Sequence, residues 1–407
     1  MQNPANGVAA TNADGAASKE SDDASGGEAA VGVDLPLHLT EKLLCHMTLL
    51  ESARLAVVCK SWASTVSALL ATPAPQLYVC TPPDISSARR GLVASVSLDG
   101  ARPSPATIPA HVGSSDTTGL RCVGATPSGR VAFAAGWLTD QVLLVNPLTG
   151  ARRSVRVGKS RLDHSRVLAG DAVLAVDGCT RMLWRPKQQD GGDAVEEWSA
   201  CAVEPTLRQQ RPSNTISAAV SCDDGHRFYL LHKDGSLSVV DATAPPPLRM
   251  EKLPVPRVTG GGLYMNNGHL VESDGEVLLV QQLVECTEED ESISVCGFEV
   301  HVLDVKENRW TKVDELAGDR ALFVSPGSSF AVRASETLGC RSNCIYFVGK
   351  KQFYSDAACH QICGSSWGVY SMEEGRVLFE HPVTVTGPAR GSEAVWFLPR
   401  VVSRIYS

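Results

Sequence analysis

Three regimes of apolar and polar patterning follow one another along the chain. Residues 1–31 (MQNPANGVAATNADGAASKESDDASGGEAAV) hold no aromatic side chain and little beyond Ala, Gly, Ser, Asn and acids. Such a segment buries too little apolar area to offset the entropy of ordering it, and a disordered acidic tail is expected there. Over residues 32–72 the period becomes helical. Asp34-Leu35-Pro36 offers a helix start, with Pro36 at the first helical position, where a missing N–H costs nothing. Leu35, Leu39, Leu43 and Leu44 then fall on roughly one helical face. Thr48-Leu49-Leu50-Glu51 fits a capping box opening a second helix. Leu55, Val58, Cys59, Trp62 and Val66 follow at spacings of one, three and four, with Arg54 and Lys60 on the other side. Two or three short amphipathic helices make too small a core to stand alone, so this module is expected to lean on a partner or on the next domain.

From about residue 76 the period switches to two. Val131–Ala135, Gln141–Asn146, Asp171–Val176, Arg227–His232, Ser236–Asp241, Glu276–Val284, Phe298–Val305 and Arg376–Glu380 read as short strands. Turn dipeptides connect them: Asp177-Gly178, Asp234-Gly235, Asp274-Gly275 and Pro326-Gly327. No long helical pattern interrupts the series, which argues against a parallel α/β sheet. Three hairpins align as a weak internal repeat: LLVNPLTGARR (143–153), HVLDVKENRWT (301–311) and GVYSMEEGRVL (368–378). Each has an apolar strand, a small polar residue (Asn146, Asp304, Ser371), then Gly150, Asn308 or Gly375 four places on, supplying a positive φ. Degenerate copies sit near Asp99, Arg185 and Asp241. Residues 76–400, at about 45–50 residues per blade, give a mainly β chain built as a β-propeller of six or seven blades. Residues 401–407 are left as a C-terminal tail. A large β-sandwich or two small β domains fit the same strands.

Charge narrows the range of partners. Residues 1–34 carry six acids (Asp14, Glu20, Asp22, Asp23, Glu28, Asp34) against Lys19, so −5 of the net −8 lies there and −3 on the rest. That is the opposite of the basic footprint a phosphate backbone selects, and nucleic acid is not an expected partner. No run approaches the length of a membrane-spanning helix, so no membrane role is expected. The 13 cysteines are sparse, no Asn-x-Ser/Thr acceptor occurs, and the N-terminus lacks a signal or transit pattern. A reducing setting in the cytoplasm, the nucleus or both is expected, with free and mostly buried thiols.

Catalytic and metal chemistry find little to work with. Cys340, Cys344, Cys359 and Cys363 form C-x3-C-x14-C-x3-C beside His360, but structural zinc sites more often use two or four intervening residues. Cys344 also opens the apolar run Cys344-Ile345-Tyr346-Phe347-Val348, which reads as a core strand with a buried free thiol. No cofactor and no metal are expected. The ten histidines are scattered, and neither a Gly-x-Ser-x-Gly elbow nor a phosphate-binding Gly-x-x-x-x-Gly-Lys occurs. Gly260-Gly261-Gly262 reads as a loop, and Glu285 with Glu288-Glu289-Asp290-Glu291 as a solvated loop first and a site for a basic partner second.

Against this background a resemblance stands out. V-D-L-P-L-H-L-T-E-K-L-L followed by R-L-A-V-V-C-K-S-W resembles the F-box, whose hallmark is Leu-Pro, a leucine-rich first helix and then Val-Cys-Lys-x-Trp. The acidic position often found between its helices is represented by Glu51. The downstream part resembles the plant F-box group with a C-terminal β-propeller. The matching pieces are F-V-S-P-G-S-S-F-A-V (323–332), G-C-R-S-N-C-I-Y-F (339–347), G-V-Y-S-M-E-E-G (368–375) and V-W-F-L-P (395–399). The resemblance implies a non-catalytic substrate-recognition adaptor of a Skp–cullin–F-box ubiquitin ligase. Leu35, Pro36, Leu39, Leu43, Leu44, Leu55, Val58, Cys59 and Trp62 would face the Skp adaptor, and the propeller would hold an unknown target protein. It leaves open a propeller that binds and inhibits a partner such as a kinase without ubiquitination. An oxidase-like propeller enzyme would need a metal-ligand cluster that the sequence lacks.

Overall fold

The computed structural model describes residues 74–80, 91–96, 98–99, 106–109, 120–135, 141–156, 165–177, 180–186, 198–205, 216–258, 263–264, 268–287, 292–337, 339–353, 361–383 and 393–400, with residues 39, 43, 55, 62 and 64–66 nearer the N-terminus. The expected tails over 1–31 and 401–407 lie outside them. The first strands are β1 (Gln76–Cys80), β2 (Gly91–Ser95), β3 (Ala106–Pro109), β4 (Leu120–Ala125), β5 (Val131–Ala135), β6 (Gln141–Val145) and β7 (Arg152–Arg156). Then come β8 (Ser165–Ala169), β9 (Ala172–Asp177), β10 (Thr180–Pro186), β11 (Trp198–Pro205), β12 (Ile216–Cys222), β13 (Arg227–His232), β14 (Leu237–Asp241) and β15 (Leu248–Lys252). The last are β16 (Leu263–Tyr264), β17 (His269–Ser273), β18 (Glu276–Thr287), β19 (Ser292–Asp304), β20 (Arg309–Val313), β21 (Arg320–Ser325), β22 (Ser328–Arg333), β23 (Cys344–Phe353), β24 (Gln361–Ser371), β25 (Arg376–Pro382) and β26 (Glu393–Phe397).

These strands form a β-propeller. Antiparallel meanders run β4-β5-β6-β7 and β26-β1-β2-β3 as separate four-stranded sheets. β8–β11 and β12–β15 are two more meanders, joined into one sheet by a parallel pairing of Val203 with Leu248. The remaining strands form a ten-stranded sheet in which the long β18–β19 and β23–β24 hairpins meet, Ser292 pairing with Phe353 and Ile293 with Gln352. β4, β8, β12, β17, β22 and β26 lie side by side around a ring. The ring is closed by the chain ends, as β26 runs antiparallel to β1 with Leu77 opposite Trp396 and Tyr78 opposite Val395. Closure leaves no open end of the ring to template aggregation.

The repeat seen in the sequence is the hairpin at the end of a strand pair. Gly150, Asn308 and Gly375 sit at φ 74°, 50° and 63°, the left-handed region that Gly and Asn enter most easily. The small polar residue four places earlier closes the turn. Asn146 Oδ1 accepts from the Leu148 and Thr149 amides, Asp304 Oδ1 from Lys306 and Glu307, and Ser371 Oγ from Glu374. Asp241 does the same for Thr243 in a fourth copy. The repeat is therefore a side-chain-capped turn.

Packing between the meanders supplies the core. Phe323 lies stacked on Tyr346 at 4.5 Å and meets Trp396 edge-on at 5.1 Å. Trp367, fully buried, meets Trp396 edge-on at 6.0 Å. The tip of the β21–β22 hairpin presses on β4 so closely that a Cβ on Gly327 would lie 1.8 Å from the Val123 carbonyl oxygen. Among the described residues no helix is long and apolar enough to cross a membrane.

Candidate functional site

The N-terminal residues that the structure describes are helical and fall into two groups. Leu39 and Leu43, one helical turn apart, stand 40% and 47% exposed, and with Val305 they are the exposed large apolar side chains of the described residues. Leu55 and Trp62 are half-buried, and Thr65 and Val66 are buried. Leu35, Pro36, Leu44, Val58 and Cys59 lie outside the described residues. An exposed leucine pair on one face has no polar chemistry to offer. It can bury apolar area against another protein, worth about 25 cal/mol per Å².

In the C-terminal part the sequence motifs turn out to be joints of the architecture. Ser325 Oγ accepts from the Trp396 amide at 3.0 Å and donates to the Ser328 carbonyl, while Ser328 Oγ donates to the Trp396 carbonyl at 2.8 Å. Ser-Pro-Gly-Ser thus fastens the β21–β22 hairpin to the closing strand. Asn343, at φ 55°, gives its amide to the Arg320 carbonyl, takes the Met372 amide on its own carbonyl, and takes the Leu316 amide on Oδ1. The Gly-Cys-Arg-Ser-Asn-Cys stretch therefore ties together three segments that are distant in sequence.

The thiols belong to that same structural role. Cys344 is buried at the start of β23, and burial pushes the Cys340 thiol up to about 12. Cys359 and the side chain of Cys363 lie outside the described residues. Among the described residues no three His, Cys, Asp or Glu side chains could hold a metal ion. Gly260-Gly261-Gly262 and the acidic run 288–291 are also outside; Glu285 is an exposed residue of β18.

Two concavities lie at the end of the ring where the inner hairpin turns converge. The smaller, about 310 Å³, is lined by Asp274, Arg320, Arg333 and Glu336 among others. There Arg320 pairs with Asp274 at 3.1 Å and with Glu276 at 2.9 Å. The larger, about 1110 Å³, opens over the turns that follow β4, β8, β12 and β17. Neither was visible in the sequence, since its walls come from turns about 45–50 residues apart.

A leucine-faced helical module followed by a propeller with no catalytic constellation in view defines a class: an F-box protein of the plant type with a C-terminal β-propeller. Residues 33–70 match the F-box domain and residues 96–371 match the KIB1-4 beta-propeller, and the chain belongs to that propeller family. F-box protein At2g26160 of Arabidopsis thaliana is 40% identical over 83 residues, 20% of this chain and 25% of that protein. F-box protein At2g17690, also from Arabidopsis thaliana, is 39% identical over 56 residues, 14% of this chain and 13% of that protein. The aligned stretches thus span a quarter or less of both relatives. Among solved structures, TolB from Acinetobacter baumannii overlaps 83% of this chain and 72% of its own at 14% identity and a TM-score of 0.40. Apo AztD from Citrobacter koseri overlaps 80% and 98% at 13% identity and a TM-score of 0.34. Overlaps this loose carry no weight for function.

Proposed function

We propose that this chain is the substrate-receptor subunit of a Skp–cullin–F-box ubiquitin ligase, with no catalytic residue of its own. The observation that carries the reading is the exposed Leu39–Leu43 pair within the stretch that matches the F-box. A free helical module that leaves leucines in water is stabilised by a partner that covers them. Leu35, Pro36, Leu44, Leu55, Val58, Cys59 and Trp62 complete the proposed Skp-facing set, with Leu55 and Trp62 also supporting the module's own fold. The proposed boundaries are 32–72 for the F-box module and 76–400 for the propeller.

We read the propeller as six-bladed, because six inner strands stand around the ring and the two large sheets divide into two meanders each. Such a scaffold holds its loops in fixed geometry and can present a target to the ligase. All seven described cysteines are free, which supports a reducing compartment, the cytoplasm or nucleus. The test is copurification with Skp and cullin from cells, wild type against Leu35→Ala with Pro36→Ala. These changes remove roughly five methyl or methylene groups at about 0.8 kcal/mol each if buried, so a hundredfold or greater loss is expected. Binding of the target should persist and the target should accumulate. Equal recovery of Skp and cullin by both proteins would remove the ligase reading.

A further inference from the structure

The larger cavity has an electrostatic character that the adaptor reading does not explain. Asp171 comes from the turn after β8, Asp223 and Asp224 from the turn after β12, and Glu272 from the end of β17. Phe228 and Ala242 add apolar wall, and no Lys or Arg is among the described residues lining the cavity. Three of the four carboxylates have only local partners: Asp171 accepts from the Ser128 amide at 3.2 Å, Glu272 from Gly275 at 2.8 Å, and Asp223 lies 3.6 Å from Arg227. Asp224 has no hydrogen-bond or ion-pair partner among the described residues. The negative field reaches the wall itself. The Cys222 thiol is pushed up to about 12, first by burial and then by Glu272 and Asp223.

Four like charges gathered from three separate hairpins into one concavity repel one another, and a cation placed among them relieves that cost. Their spacing decides what kind of cation. No three acidic, Cys or His side chains of the described residues come close enough to share a metal ion, so the charges suit positive groups spread along a chain. The cavity is also large for a single ion and large enough for several residues of a peptide with some apolar content. The chain's own N-terminal segment, at −5 over residues 1–34, is repelled from it.

We propose that this cavity is the seat for a Lys/Arg-bearing segment of the protein that the propeller recruits. The proposal rests on the reading of the propeller as the target-binding half, but its test needs no Skp, so failure of the F-box assignment leaves the result unaffected.

The full-length protein is titrated into a fluorescein-labelled (Lys-Ala)5 peptide and, separately, a (Glu-Ala)5 peptide, at low salt and at 0.2 M NaCl, with anisotropy as the readout. The lysine peptide should bind, the glutamate peptide should not, and affinity should fall with salt. Asp171→Asn with Asp224→Asn should weaken the lysine peptide about tenfold. Asn is near-isosteric with Asp and tolerates the positive φ of 53° at Asp224. Glu251→Gln with Glu307→Gln, two exposed acids away from the cavity, should change it less than twofold. Should the cavity double variant melt early, Asp224→Gly alone carries the same comparison with an expected loss of about threefold. Absence of binding, or equal weakening by the two double variants, would overturn the proposal. So would a fivefold tightening on removal of residues 401–407, which carry Arg404, because the seat would then belong to the chain itself.

Discussion

Trp396→Ala is the sharpest perturbation of the closed ring. Trp396 is fully buried in β26, edge-on to Phe323 and Trp367, and sits opposite Leu77 across the pairing that joins the two ends of the chain. A Trp side chain buries about 200 Å², worth about 5 kcal/mol at 25 cal/mol per Å². Partial relaxation around the cavity brings the expected loss to about 3–5 kcal/mol. The backbone bonds of Trp396 to Ser325 and Ser328 survive the substitution, so the change isolates packing from closure hydrogen bonding. Trp310→Ala in the outer strand β20, half-buried, is the matched control and should cost about 1–2 kcal/mol. Urea unfolding followed by far-UV circular dichroism measures both, with unchanged m expected for each. A loss below about 1.5 kcal/mol for Trp396→Ala, or one no larger than that for Trp310→Ala, would refute the claim that the closing strand is a keystone of the core.

Other consequences can be checked alongside. Gly327→Ala places a methyl 1.8 Å from the Val123 carbonyl at a φ of +71°, so it should cost at least about 3 kcal/mol and yield little folded protein on expression. Deleting residues 393–407 removes β26 and should give insoluble protein, whereas deleting 1–31 should leave the thermal melt unchanged. Burial holds the His269 imidazole down from 6.5 to about 4. Its neutral form is the folded one, so its contribution is complete above pH 6.5 and is lost as pH falls from there towards 4. Between pH 7 and 5 the wild type should therefore lose about 2 kcal/mol more than His269→Leu, read from urea midpoints at the two pH values; parallel losses would contradict the assignment.

Much of the fold was legible because strand and turn signals are local. Val131–Ala135 and Arg227–His232 have the bounds expected from alternation, and the Asp274-Gly275 turn carries the positive φ values that its dipeptide demands. The pairing of Leu77–Cys80 with the last strand was also expected, from the need to close the sheet edges. The β18–β19 hairpin runs further than expected because its outer half is stabilised by β23, a partner from a distant part of the chain. That pairing leaves no periodic mark. The candidate site divides the same way. Leucine spacing pointed to Leu39 and Leu43, but their exposure depends on what packs around them. The acid-lined cavity depends on three turns meeting in space, and no single stretch of sequence announces it. Asn146, Asp304 and Ser371 were visible as a repeat, yet their work as turn acceptors needed the geometry of the amides they receive.

The account turns on whether the exposed leucine pair is a Skp contact. The direct measurement is the equilibrium Kd of the full chain for a purified Skp partner, wild type against Leu39→Ala with Leu43→Ala, with a thermal melt of each. Each change removes three carbons, about 2.4 kcal/mol if fully transferred. Scaled by the 40% and 47% that stand exposed, the pair comes to about 2 kcal/mol, a loss of affinity of about thirtyfold. The account predicts that loss with a melt within about 1 °C of wild type, because side chains left in water contribute little to the fold. An unchanged Kd with an unchanged melt would contradict it.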